Sequence, residues 1–131
     1  MVPAVAETVV VVDDDEAVRE AIADVLALDG YSVLTARDGD EALRVLESAP
    51  RPCIALVDLV MPRVDGWELV RTLTAAPSMR DIPVVCTIVG RDDLPTGIFS
   101  VLRKPFDDRA LSEAVRSAFV RTSQPAAPTL R

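Results

Sequence analysis

The sequence predicts an α/β fold, a doubly wound parallel sheet of five strands with helices on its faces. Two observations carry this prediction. Short β-branched apolar runs alternate with amphipathic stretches at helical spacing, the order expected of parallel strands joined by helical crossovers. Three of those runs end in charge, at Asp13, Asp58 and Lys104, and the carboxyl ends of strands are where such a sheet opens onto a ligand site.

Each element follows in order. Thr8 to Val12 is a β-branched run driven straight into Asp13, Asp14 and Asp15, and reads as a strand buried on both faces. Val18, Ala21, Ile22, Val25 and Leu26 then repeat at helical spacing, and Gly30 sits where a helix-ending glycine belongs. Tyr31 to Ala36 is a second strand. The stretch "DGDEALRVLESA" gives a second helix with Ala42, Leu43, Val45 and Leu46 inward, closed by Pro50 and Pro52. Cys53 to Leu59 is the third strand, with Asp58 near its end, and Trp67 to Ala75 the third helix. Ile82 to Val89 and Ser100 to Lys104 are strands four and five. A last helix runs from Asp107 to Arg121, with Leu111, Ala114, Val115, Ala118 and Phe119 as its stripe. The expected strand order is the flavodoxin-like 2-1-3-4-5. Residues 1–121 form the domain and residues 122–131 read as a polar tail.

Composition narrows the function. The 131 residues suffice for one core without staples, and with only 4% aromatics that core is Val, Leu, Ile and Ala. A net charge of −7 disfavours nucleic acid and anionic membrane as partners. No apolar run is long enough to span a bilayer, so a cytoplasmic protein is expected. Cys53 and Cys86 lie apart in apolar runs and read as buried reduced thiols. The chain has no histidine, which removes histidine-based catalysis, histidine-ligated metal and any role as a phosphohistidine donor.

The chemistry must then run on carboxylates, lysine and backbone. Carboxylates gathered at one rim repel one another, which raises their pKa values. A divalent cation resolves the conflict, and magnesium, which takes oxygen ligands, suits such a set. Lys104 supplies an opposing charge for a phosphoryl oxygen or, without one, a carboxylate. A carboxylate nucleophile, Mg2+ and a lysine are what acyl-phosphate formation requires.

The segments "VVVVDDDEAVRE", "LVDLVMPRVDGWEL" and "VLRKPF" together resemble the three signature segments of the response-regulator receiver domain of two-component signalling, over roughly Thr8 to Arg121. The resemblance implies that Asp58 accepts a phosphoryl group from a histidine kinase or histidine phosphotransfer protein. It implies that Asp14 and Asp58 bind magnesium directly, with the Val60 carbonyl as a third ligand and Asp13 acting through water. Lys104 would contact the phosphoryl group, its bond to Pro105 being cis. Such a domain phosphorylates and dephosphorylates itself at most, so no independent enzyme turnover is expected.

The chain also departs from the family pattern. The switch hydroxyl of a receiver falls five residues after the proline of strand four, which here is Ile88. Thr87 is one place early, so either the strand slips by one residue to bring Thr87 to the site or the hydroxyl is missing. The aromatic partner expected three residues before the lysine is Val101. Between strands four and five, "GRDDLPTGIFS" carries no helical stripe, so helix 4 is expected to be replaced by a loop, as in an atypical receiver subclass with a Leu-Pro pair there. If that helix is missing, partners would meet the first and last helices.

The leading expectation is a single-domain response regulator acting through an unknown downstream protein, with a homodimer possible. The competitor is a phosphorylation-independent adaptor. A haloacid-type phosphohydrolase needs a second Asp two residues after the nucleophile, where this chain has Val60. The plainest competing role for the acid run is helix capping, which suits Asp15.

Overall fold

In a computed structural model of the chain, residues 7–60, 66–90 and 93–123 are described. Five parallel strands form one sheet in the order β2-β1-β3-β4-β5: β1 (Thr8–Val12), β2 (Ser32–Ala36), β3 (Cys53–Asp58), β4 (Val84–Val89) and β5 (Ser100–Lys104). The apolar runs explain the order. Every residue of β1 and β3 is buried, as central strands covered on both faces require, whereas β2 at the edge is half exposed.

Four helices complete the described residues: α1 (Glu16–Leu28), α2 (Gly39–Ser48), α3 (Gly66–Ala75) and α4 (Asp108–Ser123). Asp15 caps α1 by accepting from the Val18 N–H at 3.1 Å, and Asp38 caps α2 by accepting from the Glu41 N–H at 2.8 Å. Ala42 and Leu46 of α2 with Leu69 and Leu73 of α3 cover one face of the sheet. Ile22 and Leu26 of α1 with Leu111 and Val115 of α4 cover the other. Truncating a wholly buried member such as Leu26 to Ala would cost about 2–5 kcal/mol.

Strand ends differ from the sequence reading where backbone chemistry intervenes. Ile82 precedes Pro83, which has no N–H to give, so β4 begins at Val84 while the Pro83 carbonyl accepts from the Ala55 N–H. Tyr31 lies just before β2 and stacks on Phe119 of α4 at 5.2 Å between centroids.

The expectation of a missing helix 4 needs correction. A fourth helix is present, and it is α4, which follows β5 and runs two residues past Arg121. Between β4 and β5 the described residues form turns and bends. Pro95 there is buried, and Ile98 packs on the α2–α3 side of the core. Gly97 has φ +86, and a Cβ on it would stand 2.9 Å from Thr74 Cγ2 of α3, so close approach to that helix needs glycine. No helix among the described residues is long and apolar enough to cross a membrane. Residues 124–131, most of the segment read as a tail, lie outside those described.

Candidate functional site

The carboxyl edge of the sheet gathers the charged strand ends. Asp13 follows β1 and remains tied to the sheet, its N–H donating to the Ala36 carbonyl at 3.1 Å. Its Oδ1 accepts from the Asp15 N–H at 2.9 Å, and its carbonyl accepts from Arg19 Nη1 at 2.8 Å. Asp58 is the last residue of β3, and its Oδ1 accepts from the Val60 N–H at 3.0 Å. Lys104 ends β5 with Nζ 3.3 Å from Asp58 Oδ2 and 3.7 Å from Asp13 Oδ2. Its peptide bond to Pro105 is cis.

Burial sets the electrostatics. Asp13 is 2% exposed and Asp58 5%, whereas Asp14 stands in solvent. Desolvation pushes the Asp13 carboxyl above the usual range. The Asp15 N–H opposes that shift, Asp58 adds to it, Lys104 opposes it, and Asp14 adds to it. One carboxylate oxygen from each of Asp13, Asp14 and Asp58 lies within 4.8 Å of the others. A single ammonium cannot balance three carboxylates. Hard oxygen donors, two of them buried, with excess negative charge fit a small divalent cation. Val60 is 62% exposed beside this cluster. Residues 61–65, including Arg63 and Asp65, lie outside those described.

The two candidate hydroxyl positions part to opposite faces of β4. The β4 ladders to β3 and β5 run without a bulge. Ile88 is buried in the α2–α3 side of the core, and Val101 packs against the same cluster. Thr87 is the register partner of Asp58. Partners on neighbouring parallel strands share a face, so Thr87 lies on the Asp58 side, where Val85 and Leu102 pack under α1 and α4. Its Oγ1 is buried without a hydrogen-bond partner. Val89, in register with Lys104, is exposed.

Two contributors carried no sequence signal of their role. Arg19 reads as an ordinary helix arginine, yet it holds the Asp13 carbonyl. Gly66 reads as a helix start, yet it packs on the backbone of Asp58 and Leu59. Beside the site, a groove of about 550 Å³ runs between α1 and α4. Val18, Ile22, Val89, Lys104, Phe106 and Leu111 are among its lining residues, so Lys104 belongs to both groove and carboxylate cluster.

Comparison with known proteins agrees with this geometry. The family profile described as the response regulator receiver domain matches residues 9–116. The chain is 38% identical over 122 residues to the response regulator MprA of Mycolicibacterium vanbaalenii, covering 88% of this chain and 51% of that protein. It thus spans about half the length of the curated relatives it matches. It superposes with a TM-score of 0.80 on the signal receiver domain of a signal transduction histidine kinase from Syntrophus aciditrophicus. Identity there is 28%, and the match covers 95% of this chain and 98% of that one. A CheY-like response regulator receiver domain protein from Methanospirillum hungatei gives a TM-score of 0.77 at 26% identity, covering 89% and 98%.

Proposed function

The chain belongs to the response regulator receiver family, and we propose that within it Asp58 is the phosphoacceptor of a two-component phosphorelay. The observation that supports this most directly is the Lys104 ammonium, held 3.3 Å from a buried Asp58 carboxylate that ends the central β3 strand. An Asp58 oxygen attacks the phosphorus of a phosphohistidine on a histidine kinase or phosphotransfer protein. A P–O bond forms, the P–N bond breaks, and the leaving imidazole takes up a proton. Lys104 is freed from its carboxylate partners to follow charge onto the transferring oxygens.

Asp13, Asp14, Asp58 and the Val60 carbonyl would hold magnesium. Bound there, the ion supplies charge neutralisation for the transferring group. Arg19 and the Asp15 N–H keep Asp13 oriented, and the Val60 N–H orients Asp58. The apolar groove between α1 and α4 opens onto Lys104, which supports α1 and α4 as the ground where the phosphodonor protein docks.

Incubation with acetyl phosphate and magnesium tests the reading. Wild type takes one phosphoryl group, and Asp58→Asn or excess chelator abolishes uptake. The apolar Ile88 and Val101 favour a second reading, an adaptor that binds its partner without phosphorylation. A folded wild type that takes no phosphoryl group supports that alternative.

A further inference from the structure

We propose that Arg19 is a positioning residue of the cation site, holding the turn between β1 and α1 through the Asp13 main chain so that the Asp13 and Asp14 carboxylates converge on Asp58. The inference rests on the reading of these three aspartates as cation ligands. Arg19 Nη1 donates to the Asp13 carbonyl at 2.8 Å, across the whole turn. That carbonyl lies one residue past the last pairs of β1 with β2 and β3, so the ladder ends before it and Arg19 supplies its donor.

The helix position of Arg19 is costly without such a role. It is the fourth residue of α1, near the positive end of the helix dipole, where a cation is disfavoured. Its side chain is half-buried and reaches back over the helix start. It does not serve as counter-charge to the Asp13 carboxyl. Burial, the Asp15 N–H and the charges of Asp58, Lys104 and Asp14 act on that group, and Arg19 is not among them. What Arg19 fixes is the path of the chain.

Both flanks of Asp14 are bonded to this one arginine. On one side the Asp13 carbonyl accepts from the Arg19 guanidinium, and on the other the Asp15 carbonyl accepts from the Arg19 main-chain N–H at 2.9 Å. The Asp14 carboxylate itself is exposed and makes no bond within the described residues. Its place within 4.8 Å of the Asp13 and Asp58 oxygens therefore depends on the turn that carries it. Groups that orient metal ligands without touching the ion set affinity by about 10–100-fold.

The test uses Mn2+ as the probe, since it takes the same hard oxygen ligands as magnesium and its free aqueous form is counted directly by electron paramagnetic resonance. Full-length wild type, Arg19→Met, Arg19→Lys, Asp14→Asn and Val115→Ala are titrated, and their urea midpoints are measured without cation. Val115 is buried under α4 away from the site, so its variant reports the effect of lost stability alone. Arg19→Met is expected to bind Mn2+ about tenfold more weakly than wild type. Arg19→Lys, which keeps a charged donor, binds more tightly than Arg19→Met, and Val115→Ala binds as wild type does. Saturating Mn2+ returns labelling of Arg19→Met by acetyl phosphate to the wild-type rate, because the loss is one of affinity.

An Arg19→Met that binds Mn2+ as wild type does overturns the inference and leaves the cation site standing. So does an Arg19→Lys no tighter than Arg19→Met, or a Val115→Ala weakened as much as Arg19→Met. A wild type that binds no Mn2+, or an Asp14→Asn that binds it with unchanged affinity, overturns the cation reading and this inference with it.

Discussion

Gly66, the first residue of α3, is packed directly on the backbone of Asp58. A Cβ built on it would collide with the Asp58 carbonyl oxygen and stand 2.7 Å from Leu59 Cα. Neither neighbour is the end of a flexible side chain, so the backbone carrying Asp58 would have to move. Gly66→Ala is therefore expected to lower stability by about 1–3 kcal/mol and to slow labelling of Asp58 by acetyl phosphate. Urea unfolding and intact mass on one preparation measure both. Unchanged values would mean that this close contact is not needed.

Lys104 balances two buried carboxylates at once. Removing its charge leaves Asp13 and Asp58 facing each other uncompensated. With the lysine side chain a quarter exposed, solvent screening limits the loss to about 1–3 kcal/mol. Lys104→Met is expected to unfold earlier in urea and to accept phosphoryl groups on the order of 100-fold more slowly. A labelling rate equal to wild type would remove Lys104 from the transfer.

Asp14 is exposed and has no hydrogen bond or ion pair within the described residues, so its value to the protein should be as a cation ligand. Asp14→Asn is expected to leave unliganded stability within about 0.5 kcal/mol of wild type while weakening magnesium binding about tenfold or more. Trp67, the only tryptophan, directly follows Gly66 and offers the readout by fluorescence titration. Equal affinity in the variant would contradict a cation held by the three aspartates.

The cysteines are expected to be silent. Burial pushes the Cys53 thiol up to about 11 and the Cys86 thiol up to about 12. Both therefore stay protonated at neutral pH, and both are sterically covered. A thiol reagent at pH 8 should modify neither in the native protein and both in denaturant. Because the folded values lie above the unfolded ones, the thiols disfavour folding only as pH climbs past about 9.

How much of this was legible in the sequence depended on whether a residue acts where local pattern puts it. Asp13, Asp58 and Lys104 end apolar strands, and strand alternation alone brings them to one edge. Asp15 caps α1 as its position before a helical stripe suggested. Arg19 was illegible because its role is to reach back to a main-chain carbonyl, which leaves no trace in spacing. Gly66 was half legible, since its place at a helix start was plain but its contact with β3 depends on how the chain returns to the sheet. Thr87 was the hardest. The family count pointed to Ile88, and the face each residue occupies became readable only once the β3–β4 register paired Thr87 with Asp58. The connection between β4 and β5 showed its lack of a helical stripe in sequence, but its seat on Thr74 is a tertiary contact.

The most direct test of the central claim is to locate the phosphoryl group itself. Wild type labelled with acetyl phosphate and magnesium would be reduced with borohydride, which converts an aspartyl phosphate to homoserine, and then mapped by peptide mass spectrometry. The conversion is expected at position 58 alone. Homoserine at Asp13 or Asp14, or a modified hydroxyl with Asp58 intact, would contradict the assignment of Asp58 as the phosphoacceptor.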